Sequence, residues 1–244
     1  MEMEPKSTRE LPARTTGGTT QPLQRPRQIV GVMPMAGNGS RSGLWFHKAL
    51  APTFGRNGEF PVPLWRHAYD RLAEIADPII HVLSREGFAD RCLDGIPGDL
   101  IVKPERGEAP STVATAARDH PGAWLALAFP DSIWSGHWPA LMDDLDGYLL
   151  CWHGDGAVMD QVIVSEHGFV DGIRQKSPDR AGQIILGWGA FVIRADIAAT
   201  WRDDAGRLSD HLERIPRLRA VTMPGRYLDL GTPEAYADHL RGAP

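Results

Sequence analysis

The chain has 244 residues, of which 42% are hydrophobic and 23% charged, so it is long enough to bury one full core. Its formal net charge of -5 gives no general attraction for nucleic acid or anionic lipid, so any phosphate must be bound by local groups. No stretch is long and apolar enough to cross a membrane. We therefore expect neither nucleic acid nor a membrane among the partners.

Residues 1–27 differ in composition from the rest of the chain. They are rich in Thr, Pro, Arg and Gly and nearly free of large apolar side chains, so they cannot offset the entropy of ordering. The composition predicts a disordered tail over residues 1–27 and one domain over residues 28–244. No apolar central run marks a secretory signal, and Cys92 and Cys151 form no CxxC motif. We therefore expect buried, reduced thiols and a cytoplasmic location.

Beyond this tail, short apolar runs typical of strands alternate with stretches of helical spacing. The predicted strands cover residues 29–33, 79–83, 99–102, 124–129 and 147–152. Predicted helices lie between them, with an apolar face from Val62 to Ile75 and shorter helices over 111–118 and 139–145. This alternation predicts an α/β fold, a Rossmann-like, mostly parallel sheet with helices on both faces. Such sheets bind ligands beyond the carboxyl ends of their strands.

The second half of the chain changes to an antiparallel pattern. Residues 158–178 predict a hairpin with its turn at His167–Gly168, and residues 187–197 predict a strand that enters a short helix. These strands predict an inserted antiparallel β region beside the parallel sheet. A last strand over 218–224 precedes a terminal helix, for which Thr232 is the expected N-cap.

A glycine-rich loop follows the first predicted strand. Its residues, which read AGNGSR, are Ala36, Gly37, Asn38, Gly39, Ser40 and Arg41. Glycines leave backbone N–H groups open towards an anion, and Arg41 adds a charge-assisted donor, so the loop is typical of a phosphate site. It is neither a Walker A loop nor a GxGxxG dinucleotide motif. By itself, the pattern leaves a purely structural turn open.

Together with later motifs, this loop resembles the opening of the nucleotidyltransferases that make nucleotide sugars. The run KALAP at residues 48–52 is similar to the family's PK-x-L-x-P element. The run YLDLGTPEAY at residues 227–236 looks like its W-x-D-[VT]-GTPE-x-Y signature, which is the more specific match. Residues 129–132 resemble the GD or PD at a strand end of the family. Residues 174–178 resemble its EKP element, and residues 187–192 resemble its sugar-pocket strand. The likeness spans about residues 28–240 in the family's order.

The resemblance implies an enzyme with a definite chemistry. A sugar-1-phosphate oxygen attacks the α-phosphorus of a nucleoside triphosphate in line, giving a nucleotide sugar and pyrophosphate. It further implies that the loop amides bind the triphosphate, that Arg41 holds the departing β- and γ-phosphates, and that Lys48 neutralises the α-phosphate. Asp131 and Asp229 would hold Mg²⁺ as the cofactor. Lys48 is the expected essential cation.

The resemblance also implies the remaining substrate contacts. Lys103 and Gly107 lie in a segment resembling the family's base-binding loop, where a glycine permits close approach of the nucleobase. The expected acceptor-binding residues are Gln175, Lys176, Trp188 and Gly189. Lys176 would contact the sugar phosphate. The family usually carries Glu before this lysine, and Gln175 stands there instead as an uncharged donor and acceptor.

The loop departs from the sugar-specific pattern, and this leaves base and acceptor open. AGNGSR is a shorter form that also resembles cytidylyltransferases acting on alcohol or amine phosphates. Two other functions stay open. One is a catalytically silent nucleotide-sugar-binding protein. The other is a glycosyltransferase in which Asp144 and Asp146 bind the metal, and the structural alternative for these two acids is a solvated turn. Structural alternatives are a helix N-cap for Asp131 and a loop hydrogen-bond acceptor for Asp229. Either a monomer or a homodimer fits the sequence.

Overall fold

The computed structural model describes residues 28–35, 48–55, 58–59, 61–84, 96–103, 109–201 and 206–242. Its strands are β1 (Ile29–Pro34), β2 (Pro52–Thr53), β3 (Val62–Pro63), β4 (Ile79–Ser84), β5 (Asp99–Lys103), β6 (Trp124–Ala128), β7 (Ser132–Trp134), β8 (Gly147–Asp155), β9 (Gln161–Val164), β10 (Val170–Arg174), β11 (Ile184–Arg194), β12 (Leu218–Thr222) and β13 (Tyr227–Asp229). The α-helices are α1 (Trp65–Leu72), α2 (Ala109–Asp119), α3 (Ala195–Ala198), α4 (Leu208–Leu212) and α5 (Pro233–Leu240), and 3₁₀ turns cover Lys48–Leu50 and Pro178–Arg180. None of these helices is both long and apolar enough to cross a membrane.

A nine-stranded sheet forms the centre of the described part of the chain. Seven strands lie in the order β10, β9, β11, β6, β1, β4 and β5, and β8 pairs with β11 and carries β12. The strands β6, β1, β4 and β5 run parallel. In contrast, β11 is antiparallel to β6, β8 and β9. The predicted α/β sheet with an antiparallel region is therefore confirmed.

Two hydrophobic cores cover the two faces of the parallel strands. Successive side chains of a strand point to opposite faces, so β1 contributes to both cores. Val30 and Val32 lie in one core with Val113 of α2, and Met33 lies in the other with Leu72 of α1. Each face of the sheet is thus closed by a helix, as the alternation of predicted strands and helices requires.

The turn of the hairpin and the cap of the terminal helix lie where the sequence predicts them. The strands β9 and β10 pair antiparallel around Gly168, which has a φ of +82° that favours glycine. Thr232 caps α5, because its hydroxyl oxygen accepts the Ala235 N–H at 3.3 Å. These two local predictions are confirmed.

The helix predicted over residues 139–145 is wrong. This segment contains no helix, and its Met142 N–H donates to the Tyr148 hydroxyl oxygen at 2.8 Å. Just before it, Trp138 Nε1 donates to the Arg71 carbonyl oxygen at 2.6 Å, which fixes the segment to α1. Hydrogen bonds to side chains and to a distant helix therefore replace the helical ones that the spacing suggested.

Candidate active site

The parallel strands end together at one edge of the sheet, where ligands are expected. At this edge β1 ends at Pro34, just before the glycine-rich loop, and β5 ends at Lys103. Asp131 lies there too, in the short connection between β6 and β7. The predicted site residues that lie outside the described residues are the catalytic Arg41 and the nucleotide-binding Ala36, Gly37, Asn38, Gly39, Ser40 and Gly107.

Pairing of β7 with β13 brings Asp131 and Asp229 together from distant parts of the chain. Asp229 lies opposite Ser132 in this antiparallel pair. Next to it, the Leu230 N–H donates to the Asp131 carbonyl oxygen at 2.9 Å. A Cβ added to Gly231 would lie 2.8 Å from Asp229 Oδ1 and 3.1 Å from Asp131 Oδ2. The two carboxylates therefore border one small space, which is open because residue 231 has no side chain.

Lys48 faces this acid pair. Its Nζ forms an ion pair with Asp131 Oδ2, and only 16% of the lysine side chain and 12% of the aspartate side chain are exposed. Charges so far removed from solvent interact more strongly than surface charges. The 3₁₀ turn that carries Lys48 is anchored by the fully buried Ala49 and by the Ala51 N–H, which donates to the Lys48 carbonyl oxygen at 3.0 Å. The structure thus brings the predicted essential cation to a predicted metal ligand.

The pKa of Asp229 is raised by its surroundings. Burial is the largest cause, and the negative charge of Asp131 is the next. The Gly231 N–H, which donates to Asp229 Oδ1 at 2.9 Å, acts in the opposite direction. The ammonium groups of Lys176 and Lys48 also oppose the rise. Two carboxylates in one partly buried place are an unfavourable arrangement that a nearby cation stabilises.

The acid pair fits a divalent cation that is bound partly by substrate. Mg²⁺ is usually held by one or two carboxylates, and waters and substrate phosphates complete its coordination. Among the residues that the structure describes, no group of three or more His, Cys, Asp and Glu side chains could hold a metal. Asp131 and Asp229 can therefore supply two ligands, and the others would have to come from phosphate oxygens and water.

The loop after β10 brings Lys176 towards Asp229. The Lys176 N–H donates to Asp160 Oδ1 at 2.9 Å, and the Ser177 N–H donates to the Gly156 carbonyl oxygen at 3.1 Å. These bonds fix the loop beside the end of β8. The side chain of Lys176 is exposed but near enough to act on the pKa of Asp229. Gln175 is exposed in the same loop.

Trp188 and Gly189 lie on β11 next to aromatic rings. The half-buried Trp188 packs on Phe129, with 6.0 Å between ring centroids. Its buried indole Nε1 has no hydrogen-bond partner within the described part of the chain. A Cβ on Gly189 would overlap the ring of Tyr227. Gly189 therefore permits Tyr227 to pack directly on the backbone of β11.

Tyr227 lies next to the acid pair, although no sequence motif by itself assigns it a role. Its ring centroid lies 5.2 Å from that of Trp152. Burial, followed by the charges of Asp229 and Asp131, raises the pKa of Tyr227 well above its usual range. The phenol therefore stays neutral beside two acids. The sequence feature that points to Tyr227 is its position in the same signature segment as Asp229, two residues before it.

A cleft of about 350 Å³ opens beside Asp229. Tyr227 and Asp229 line it from β13, Met159 lines it from the turn after β8, and His239 lines it from α5. A cleft of this volume can hold a small molecule. Because Asp229 is part of its wall, a molecule in the cleft would lie next to the acid pair.

The acidic run around residue 144 lies at the opposite edge of the sheet. Asp144 has a side chain that is 66% exposed and pairs with Arg217 at 3.4 Å. The run precedes β8. The first residue of β8, Gly147, pairs with Ile193 of β11, and Ile193 pairs in turn with Leu125 near the start of β6. The length of β6 therefore separates this run from Asp131, and the run does not contribute to the same site.

Comparison with known proteins assigns the fold to a class. No family model matches the chain. A protein from Bacillus anthracis described as a glucose-1-phosphate thymidylyltransferase, solved in complex with sucrose, has a TM-score of 0.69 at 16% identity, over 88% of this chain and 95% of that one. HddC from Yersinia pseudotuberculosis has a TM-score of 0.61 at 15% identity, over 89% and 99% of the two chains. Its complex with GMP-PN has a TM-score of 0.62 at 16% identity, over 87% and 98%.

These likenesses confirm that the chain has a sugar-1-phosphate nucleotidyltransferase-like fold. A curated relative of a different kind is the DNA repair protein RecO of Ralstonia nicotianae, which is 32% identical over 127 residues. That match covers 45% of this chain and 44% of RecO. The chain thus spans less than half the length of the curated relative that it matches.

Proposed function

We propose that the protein is a nucleotidyltransferase that joins a nucleoside triphosphate to a sugar-1-phosphate and releases pyrophosphate. The observation that carries the proposal is the partly buried cluster of Lys48, Asp131 and Asp229 at the carboxyl edge of the parallel strands. Transfer at phosphorus requires charge neutralisation and alignment rather than covalent work by the protein. One cation and two acids in one place suit these requirements.

In the proposed reaction, a phosphate oxygen of the sugar-1-phosphate forms a bond to the α-phosphorus of the triphosphate. The bond from the α-phosphorus to the oxygen that bridges to the β-phosphate breaks, and pyrophosphate leaves with that electron pair. Lys48 would balance the negative charge that builds up on the α-phosphate. Asp131 accepts from the Lys48 ammonium group and would keep it directed into the site.

Asp131 and Asp229 are the residues that would hold Mg²⁺, which when bound would supply charge stabilisation at the phosphate oxygens. The raised pKa of Asp229 supports this assignment, because burial and then the negative charge of Asp131 disfavour its charged form, and a bound cation would offset both effects. The space in front of Gly231 supports it as well, since both carboxylates border it. The neutral Tyr227 adds no further negative charge to this wall of the site.

Other residues would bind the two substrates. We assign the triphosphate to the loop of residues 36–41, with Arg41 on its β- and γ-phosphates, and the base to Lys103 and Gly107. Lys176, which lies near Asp229, would contact the acceptor phosphate. The acceptor itself would lie near Gln175, Trp188 and Gly189. Sucrose and GMP-PN, which are bound in the similar structures, support recognition of a sugar and a nucleotide.

A sugar phosphate is the favoured acceptor, and the nucleobase is left to experiment. The shorter glycine-rich loop keeps an alcohol or amine phosphate as the alternative acceptor. We also propose a cytoplasmic location, where triphosphates and phosphorylated acceptors are made. The match with RecO adds no second function, since it covers less than half of either chain and a net charge of -5 gives no general attraction for DNA.

The proposal is tested by following pyrophosphate while dTTP, UTP, GTP and CTP are each offered with a panel of sugar-1-phosphates and alcohol phosphates. We expect Mg²⁺-dependent release with one pair of substrates. Lys48→Ala should lower kcat by about 10²–10³-fold, the loss typical of removing one transition-state charge partner. The control is Arg66→Ala, because the Arg66 side chain is 53% exposed on α1 and pairs with Asp70.

Three outcomes would replace the proposal. Binding of a nucleotide sugar without pyrophosphate release from any pair would indicate a silent binding protein. Transfer of a donor sugar that is abolished by Asp144→Ala would indicate a glycosyltransferase. Pyrophosphate release only with an alcohol or amine phosphate would indicate a cytidylyltransferase of the non-sugar type.

A further inference from the structure

The terminal helix α5 connects the two sides of the candidate site. It begins at Pro233, just after Leu230, whose N–H donates to the carbonyl oxygen of Asp131 at 2.9 Å. From the same helix, the Tyr236 hydroxyl donates to the Pro52 carbonyl oxygen at 2.7 Å. His239 Nε2 is hydrogen-bonded to Thr53 Oγ1 at 2.6 Å. We propose that Tyr236 and His239 are positioning residues that hold the segment of Lys48 against Asp131.

The two contacts of α5 come from one face of the helix. Residues three positions apart are neighbours on a helix surface, so Tyr236 and His239 can reach β2 together. Their partners on β2 are adjacent, and Thr53 is fully buried. A buried hydroxyl that loses its partner costs more than a hydrogen bond lost at the surface. The contact between α5 and β2 is therefore a specific attachment rather than a loose surface contact.

The attachment reaches Lys48 through a short and well-bonded stretch of backbone. The Ala51 N–H donates to the Lys48 carbonyl oxygen at 3.0 Å, and the Leu64 N–H donates to the Ala51 carbonyl oxygen at 2.9 Å. Only residues 49–51 separate Lys48 from β2. Movement of β2 would therefore move the backbone of Lys48 relative to Asp131.

Such positioning matters because lysine has a long, flexible side chain. Ordering it costs rotamer entropy, so a fixed backbone is needed to hold its charge in one place. A small displacement of a charged group in an active site reduces the rate strongly. Leu230, three residues before α5, donates to the Asp131 carbonyl oxygen, and Tyr236 of α5 donates to the Pro52 carbonyl oxygen of β2. The C-terminal segment therefore contacts the backbone on both sides of the ion pair.

The first test measures positioning without any assay of activity. Tyr236→Phe removes the hydroxyl that donates to Pro52 and keeps the ring. Amide hydrogen exchange of Ala51 and Leu64 should become about threefold to tenfold faster in this variant, the effect of one lost hydrogen bond. The control is Arg241→Gln, whose parent side chain is 71% exposed at the end of α5 and contacts Asp238. Unchanged exchange at Ala51 in Tyr236→Phe would overturn the inference.

The second test, which rests on the proposed function, is a double-mutant cycle on pyrophosphate release. Tyr236→Phe should lower kcat by about threefold to tenfold in the wild-type background, with little change in KM. It should have no further effect in the Lys48→Ala background, because its action passes through Lys48. His239→Gln, which keeps a side chain able to bond with Thr53, should retain more activity than His239→Ala.

The two tests separate failure of the inference from failure of the proposed function. Equal losses from Tyr236→Phe in both backgrounds would show a general structural effect and overturn positioning through Lys48. If wild-type protein releases no pyrophosphate with any substrate pair, the proposed function fails, and hydrogen exchange at Ala51 still decides whether α5 positions the Lys48 segment.

Discussion

Gly231→Ala should disturb the acid pair without straining the backbone. The added Cβ would lie 2.8 Å from Asp229 Oδ1 and 3.1 Å from Asp131 Oδ2, which is closer than ordinary van der Waals contact. Gly231 is not among the glycines with a positive φ, so alanine can adopt its conformation. Any effect must therefore come from crowding of the two carboxylates.

The size of this effect follows from how firmly the acids are held. Asp229 Oδ1 accepts the Gly231 N–H, and Asp131 is paired with Lys48, so neither carboxylate can move without weakening a contact. Overpacking at such a place costs about 1–3 kcal/mol of stability. Displacement of active-site groups by about 1 Å can cost about 10²-fold in rate, so we expect kcat to fall about 10-fold to 100-fold.

Pyrophosphate release and urea unfolding measure the two effects of Gly231→Ala. The matched control is Gly172→Ala in β10, where a Cβ would meet only Ile163 Cδ1, at an ordinary 3.6 Å, and where φ is not positive. This control should change stability by less than about 0.5 kcal/mol and leave kcat unchanged. Full activity in Gly231→Ala would show that the two acids do not need the space in front of residue 231.

Three further predictions concern charge, capping and thiol chemistry. Asp229→Asn should abolish activity but raise the free energy of unfolding at pH 7, because the raised pKa of Asp229 shows that folding disfavours its charged form. Wild-type stability should fall as pH rises through the raised pKa of Asp229. The extra stability of Asp229→Asn over wild type should therefore vanish below the unfolded-state pKa of about 3.9. Urea unfolding of both proteins at a series of pH values measures this difference. Thr232→Ala should lower the free energy of unfolding by about 1 kcal/mol through loss of the cap on Ala235, and an unchanged urea midpoint would contradict this. The Cys151 thiol should not react with a thiol reagent before unfolding, because it is fully buried and burial raises its pKa to about 12; rapid labelling of folded protein would contradict this.

The sheet could be predicted from sequence because its central strands are short apolar runs. Every residue of β6, from Trp124 to Ala128, is buried, which is typical of a strand covered on both faces. Local patterns failed at 139–145, where the Met142 N–H is bonded to the distal hydroxyl of Tyr148. Spacing along the chain carries no information about such a tertiary partner.

The proximity of Asp131 and Asp229 could be predicted, but their surroundings could not. Asp131 and Asp229 lie in recognisable motifs, and β7 rather than a helix follows Asp131, so the N-cap alternative is wrong. The role of Gly231 depends on where two carboxylate oxygens lie in space. Tyr236 is bonded to Pro52 across 184 positions of sequence, a contact that no local pattern indicates.

A crystal structure with Mn²⁺ and a non-hydrolysable triphosphate would show whether Asp131 and Asp229 hold one cation next to a triphosphate faced by Lys48. Anomalous scattering locates Mn²⁺ independently of the protein density. We predict one Mn²⁺ site in contact with both carboxylates, with the Lys48 ammonium group on the α-phosphate. Mn²⁺ bound away from both carboxylates, or a triphosphate that Lys48 does not contact, would show that these residues do not form the catalytic site.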